Sequence, residues 1–251
     1  MSSSYSAEQS LKAWQTLEDL SRRLSVAPFK GLRAVFVIGS LPGGYFRPAQ
    51  SDLDVVVLFN DPPKQGATLA TLITALEEMV QPEKLVHPFE VECLPRFISE
   101  LGRNLETGLL QNPDMVARLK VQSRQLFGNY PVETLPTPSA EEWAWETRNF
   151  LRGWDEQAQK DPLGVASPSM QIKKTLTLVR LYLAVRRDLV EYNKFKMLET
   201  YERNIPVVPI SLGTRLAIQT YLTDGELNQQ AQARLECELP DIQSALVEAI
   251  L

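Results

Sequence analysis

Apolar residues recur at three- and four-residue intervals near the start of the chain, at Leu11, Trp14, Leu17, Leu20 and Leu24. That spacing predicts an amphipathic helix, and Ser6 followed by Gln9 supplies a capping box for it. The pattern then changes. Ala34 to Ile38 is a continuous, mostly β-branched apolar run ending at Gly39, which predicts a strand buried on both faces. A Gly/Pro-bearing loop (Leu41 to Gln50) leads to a second such run, Leu53 to Phe59, closed by Asn60-Asp61-Pro62-Pro63. Thr68 to Val80 returns to helical spacing, and Phe89 to Leu94 alternates apolar with acidic residues, as a strand with one solvated face does. Met115 to Leu126 suits a helix running into a short strand before Gly128.

Pro131 to Pro138 is a polar stretch with three prolines and predicts a boundary. Beyond it the pattern is helical throughout: Trp143–Trp154, Ile172–Val185, Phe195–Tyr201, Leu212–Leu222, Gln229–Leu239 and Ile242–Leu251. Strand, helix and strand followed only by helices define an α+β chain, with a mixed, helix-flanked sheet over 1–135 and a helical bundle over 136–251.

Composition adds little that is unusual. With 44% hydrophobic residues, 23% charged residues and a net charge of −5, the chain reads as globular and lacks the basic excess of a nucleic-acid groove. Cys93, Cys237 and the lone His87 have no zinc-ligand spacing, and His87, before Pro88 at a strand entrance, reads as exposed or backbone-bonded. No basic-then-apolar leader is visible and no apolar run is long enough for a membrane, so the expected setting is cytoplasmic.

The chemistry concentrates at the two buried runs. Asp52 and Asp54 begin the second; on a strand they share one face, roughly 6–7 Å apart. Paired carboxylates at the mouth of an apolar strand call for a counter-charge, and Mg²⁺ suits, binding one or two carboxylates together with substrate phosphates. Gly39 permits a sharp exit from the first strand, and the Ser40 hydroxyl with nearby N–H groups can donate to a phosphate. Glu90 and Glu92 also share a face, and periodicity does not choose between them.

Apolar strand, Gly-Ser, a loop with Gly43-Gly44, and Ser51-Asp52-Leu53-Asp54 entering a second apolar strand together resemble the signature of the DNA polymerase β-like nucleotidyltransferase superfamily. Within it the chain is most similar to aminoglycoside adenylyltransferases of the streptomycin/spectinomycin kind. The resemblance implies a nucleoside triphosphate donor, ATP above all, and a pair of Mg²⁺ ions held by Asp52 and Asp54. It also implies a triphosphate touched by Gly39, Ser40 and Ser51, and a third carboxylate acting as base. Glu90 fits the family's third position more directly than Glu92, which adds a carboxylate the pattern does not have.

Leu126-Phe127-Gly128, Leu178 to Tyr182, Asn193-Lys194 and Ile205-Pro206 resemble the later parts of the same enzymes. By that likeness Arg180 and Lys194 reach the phosphates, with Lys173, Lys174 and Lys196 as further cations. Trp143, Trp145 and Trp154 are candidates to line an acceptor pocket, or are core. The expected activity is transfer of AMP to a hydroxyl of a small acceptor, aminoglycoside-like, in a cleft between the domains. Two other readings share the motif: an antitoxin that adenylylates a protein partner, and a nucleotide-binding module without catalysis.

Overall fold

The computed structural model describes residues 2–27, 29–47, 51–61, 69–86 and 90–251. They form two compact units, 1–137 and 138–251.

The first unit is built on β1 (Leu32–Ile38), β2 (Leu53–Phe59), β3 (Val91–Phe97) and β4 (Ser123–Gly128), with α1 (Ser2–Val26), α2 (Leu69–Val86) and α3 (Pro113–Val121). The sheet is mixed, in the order β3-β2-β1-β4. β1 is antiparallel to both β2 and β4, while β2 and β3 are parallel, a pairing that needs the long crossover supplied through α2. Leu17, Leu20 and Leu24 of α1 and Leu72 and Leu76 of α2 pack with Val35, Val37, Val55 and Val57 on one face of the sheet. Leu101, Leu110, Val116, Leu119 and Leu135 pack with Phe36, Ile38, Val56 and Leu58 on the other. Both faces are thus covered, which is why β1 and β2 read as unbroken apolar runs.

Boundaries in this unit differ from the sequence expectation, and α2 runs six residues past the expected Val80. α1 begins at Ser2, so Ser6 lies inside the helix and is no cap; the polar stretch before Leu11 holds no breaker to stop it. The third strand runs from Val91 to Phe97 and takes in Pro95. β3 lies at the edge of the sheet, where a missing N–H is tolerated. The expected features at Pro62-Pro63, Thr68, His87 and Phe89 lie outside the described residues.

The second unit is helical: α4 (Ala140–Lys160), α5 (Pro162–Ala166), α6 (Pro168–Arg187), α7 (Lys194–Arg203), α8 (Leu212–Asp224) and α9 (Gln229–Ile250). Ser139 and Glu142 make a capping box at the start of α4. α6 is the buried centre, with every residue from Leu178 to Ala184 out of solvent. The two helices expected at the C-terminus are one. Pro240 sits inside α9 on its exposed side, while Leu235, Leu239, Ile242, Leu246 and Ile250 form one buried stripe. That stripe outweighs the ~3 kcal/mol an interior proline costs. α5 was not foreseen; it is a single capped turn, started by Asp161 accepting from the Gly164 N–H at 2.9 Å.

Glu238 of α9 accepts from the hydroxyls of Thr214 and Ser211 at the N-terminus of α8, and these bonds hold its carboxyl below the usual range. A carboxyl lowered in the folded state contributes stability that is complete above about pH 4.5 and is lost as pH falls through the folded value. We expect Glu238→Gln to flatten the acid limb of stability measured by denaturant unfolding across that range. An unchanged limb would assign the acid sensitivity elsewhere.

Candidate active site

The site starts from the antiparallel pairing of β1 and β2. Register places Ile38 opposite Asp54, so the chain leaves β1 at Gly39 directly beside that aspartate. Gly39 is buried with φ +86°, a left-handed conformation that excludes most side chains. A Cβ at this position would stand 2.8 Å from Asp54 Oδ2. The carboxylate therefore occupies the space a side chain would fill, which ties the Gly-Ser turn to the aspartate pair through one contact.

The loop after Gly39 folds back on itself. Gly43 N–H donates to the Gly39 carbonyl at 3.1 Å, and Tyr45 N–H to the Ser40 carbonyl at 3.0 Å. Ser40 is half-buried at this turn. Ser51 N–H donates to the Arg47 carbonyl at 2.8 Å, while the Ser51 hydroxyl accepts from the Arg47 N–H at 3.1 Å. That closure brings the chain into β2 with Asp52 exposed and Asp54 as the only β2 residue that is not fully buried. Alternation from Asp54 through Val56 and Leu58 puts Asp52 and Asp54 on the face covered by Val116 and Leu119.

On the other side of β2, the parallel register pairs Asp54 with Glu92, and Leu53 N–H donates to the Glu90 carbonyl at 2.8 Å. One step beyond the last paired residues, Glu90 therefore lies across from Asp52. Glu90 immediately precedes β3 and Glu92 is within it; both are exposed. Among the described residues no three His, Cys, Asp or Glu side chains come together as metal ligands. Two aspartates on adjacent positions of one face are nevertheless the donor set Mg²⁺ takes when phosphates and water complete its shell.

In the helical unit, Arg180 is not on a solvated face. It is 8% exposed, with its guanidinium 5.0 Å from the Tyr192 ring. Lys194 is exposed in the first turn of α7. Lys174 lies 5.2 Å from the Trp154 ring, and burial pushes its amine below the usual lysine range. Lys173 and Lys196 are exposed. Trp143 and Trp154 are buried in the core of this unit, and Trp145 is half-buried. Missed by the sequence reading is Gln122, buried beside the Gly-Ser loop; a lone amide between a helix and a strand carries no pattern that marks it.

Residues 15–104 match the family model described as a nucleotidyltransferase domain, a span that contains the Gly39 turn, both aspartates and both glutamates. Residues 15–104 are accordingly a nucleotidyltransferase domain, and the chain is a transferase enzyme. Among solved structures it is similar to spectinomycin adenyltransferase AAD(9) from Enterococcus faecialis, crystallised with ATP and spectinomycin. The likeness covers 96% of this chain and 99% of that one, with a TM-score of 0.58 and 18% sequence identity, so it bears on the fold. No curated protein matches the chain. Among the described residues no helix is long and apolar enough to cross a membrane.

Proposed function

We propose that this enzyme transfers AMP from ATP to a hydroxyl of a small, aminoglycoside-like acceptor. The observation that carries the proposal is the contact of the Gly39 turn with Asp54, which sets a phosphate-receiving turn against a carboxylate pair. The acceptor oxygen forms a bond to the α-phosphorus, the bond from that phosphorus to the bridging oxygen breaks, and pyrophosphate departs with the electron pair. The acceptor's proton passes to the Glu90 carboxylate, which lies across the sheet from Asp52 and is exposed to an incoming hydroxyl.

The turn's N–H groups and the Ser40 hydroxyl orient the phosphates, while Ser51 keeps the loop closed on β2. Asp52 and Asp54 would hold Mg²⁺, which would supply neutralisation of the triphosphate's negative charge. Arg180 and Lys194 are the proposed cations for the triphosphate. The 18%-identical AAD(9) was crystallised with ATP and spectinomycin, which supports the choice of donor and of a small hydroxyl-bearing acceptor.

The test is Mg²⁺-dependent pyrophosphate release, with the common nucleoside triphosphates screened against aminoglycosides and other polyhydroxylated amines. Release with ATP and one such acceptor, with AMP found on the acceptor by mass spectrometry, is expected. Absence of release with every pair would overturn the proposal. In the active pair, Glu90→Gln is expected to lower turnover roughly 10²-fold and Glu92→Gln to leave it near normal. The reverse ranking would move the base to Glu92.

A further inference from the structure

Gln122 ends α3 and stands one residue before β4, whose register pairs Ser123 with Ile38. The next step of that register sets Gln122 beside Gly39, on the side of the turn away from Asp54. Its side chain is 8% exposed and reaches over the loop, where Nε2 donates to the Tyr45 hydroxyl at 2.7 Å. Gly43 lies beneath the two. A Cβ there would stand 2.2 Å from Gln122 Nε2 and 2.5 Å from Tyr45 Cε1. The first glycine of the Gly-Gly pair is thus fixed by the amide and ring that cover it. The Gln122 Oε1 is buried and has no hydrogen-bond partner among the described residues. A residue kept only to fill this space would be better as Met or Leu, since half of the amide's capacity is unmet. What the amide achieves is the bond to Tyr45.

We propose that Gln122 and Tyr45 form a clasp that sets the Gly39–Ser40 turn in its phosphate-receiving shape, making Gln122 a positioning residue for nucleotidyl transfer. It lies outside the residues that match the nucleotidyltransferase family model. Tyr45 is the link: its ring packs over Gly43 and its N–H holds the Ser40 carbonyl at 3.0 Å, so the hydroxyl bond from Gln122 steadies the backbone that meets the phosphates. Small displacements of such positioning groups are expensive in rate.

The kinetic consequence rests on the reading of this turn as part of the nucleotidyl-transfer site, whereas the mechanical one does not, and the two are measured separately. Gln122→Met keeps the volume and removes the bond; Tyr45→Phe removes the same bond from the other side and keeps the ring. Both are expected to speed hydrogen exchange at the Gly43, Gly44 and Tyr45 amides about tenfold, with the core strands unaffected. Both should also raise KM for the nucleotide about tenfold while changing kcat less, and the double variant should be no worse than either single one. Wild-type exchange in the single variants, or additive losses in the double, would overturn the clasp. Faster exchange in an enzyme that shows no turnover with any acceptor would leave the clasp standing and remove the proposed function instead. Should Gln122→Met fail to fold, Tyr45→Phe decides alone.

Discussion

Asp52→Asn is expected to leave a folded protein with pyrophosphate release reduced by about three orders of magnitude, or roughly 4 kcal/mol of transition-state stabilisation. Asp52 is exposed at the mouth of β2 and Asp54 is half-buried just inside it, so neither carboxylate holds the core together. The core beneath them is Phe36, Ile38, Val56 and Leu58 against Val116 and Leu119, none of which the substitution touches. Removing one of two neighbouring like charges relieves repulsion, so the melting temperature should be equal to or above that of the parent. Stability up and activity gone is the signature of a residue held for chemistry. Asp54→Asn should lose pyrophosphate release in the same way. Near-normal turnover in either variant, at saturating Mg²⁺ and nucleotide, would refute the assignment of the pair.

Gly39→Ala combines two costs and is expected to be nearly as damaging. The left-handed backbone at φ +86° costs an alanine about 1–2 kcal/mol. The new methyl would also stand 2.8 Å from Asp54 Oδ2 and must push the carboxylate or the turn aside. A shift of that kind in a positioning group is worth roughly 10²-fold in rate. Thermal unfolding together with pyrophosphate release separates the two costs: a lowered melting temperature with unchanged turnover would mean that the contact is structural only. Gly44, where a Cβ would meet nothing within 4 Å although φ is +76°, is the comparison that carries the backbone cost without the collision.

The two buried strands were legible because apolar runs bounded by Gly39 and by Asn60-Asp61 leave no other packing for them. Alternation along β2 was enough to put both aspartates on one face. Strand order and direction were not legible: nothing local in Val91 to Phe97 says that it pairs with β2, since parallel pairing is decided across the intervening helix. Pro240 misled because a proline usually ends a helix, and the five apolar residues that hold α9 together act only once the bundle has formed. The burial of Arg180 was not legible for a similar reason. Its burial comes from α6 lying at the centre of its unit, a property of the assembled helices and not of the segment. The contact between Gly39 and Asp54 joins residues separated by the whole loop, so sequence could supply the two parts but not their fit.

The parallel pairing of β2 with β3 has a consequence for how the site can change over time. The turn and the aspartates come from a single hairpin, β1 with β2, whose members are near neighbours along the chain. The proposed base, Glu90, arrives from elsewhere, at the entrance to an edge strand reached by way of α2. A one-residue slip within the hairpin would turn Asp52 and Asp54 to the opposite face and, in the proposed mechanism, abolish activity at once. In the proposed mechanism a substitution in β3 would leave that pair undisturbed and alter only the acidic group that meets the incoming hydroxyl. The hairpin is therefore the conservative half of the site and the edge strand the adaptable one. New acceptors would be expected to evolve through β3 before anything in the turn gives way.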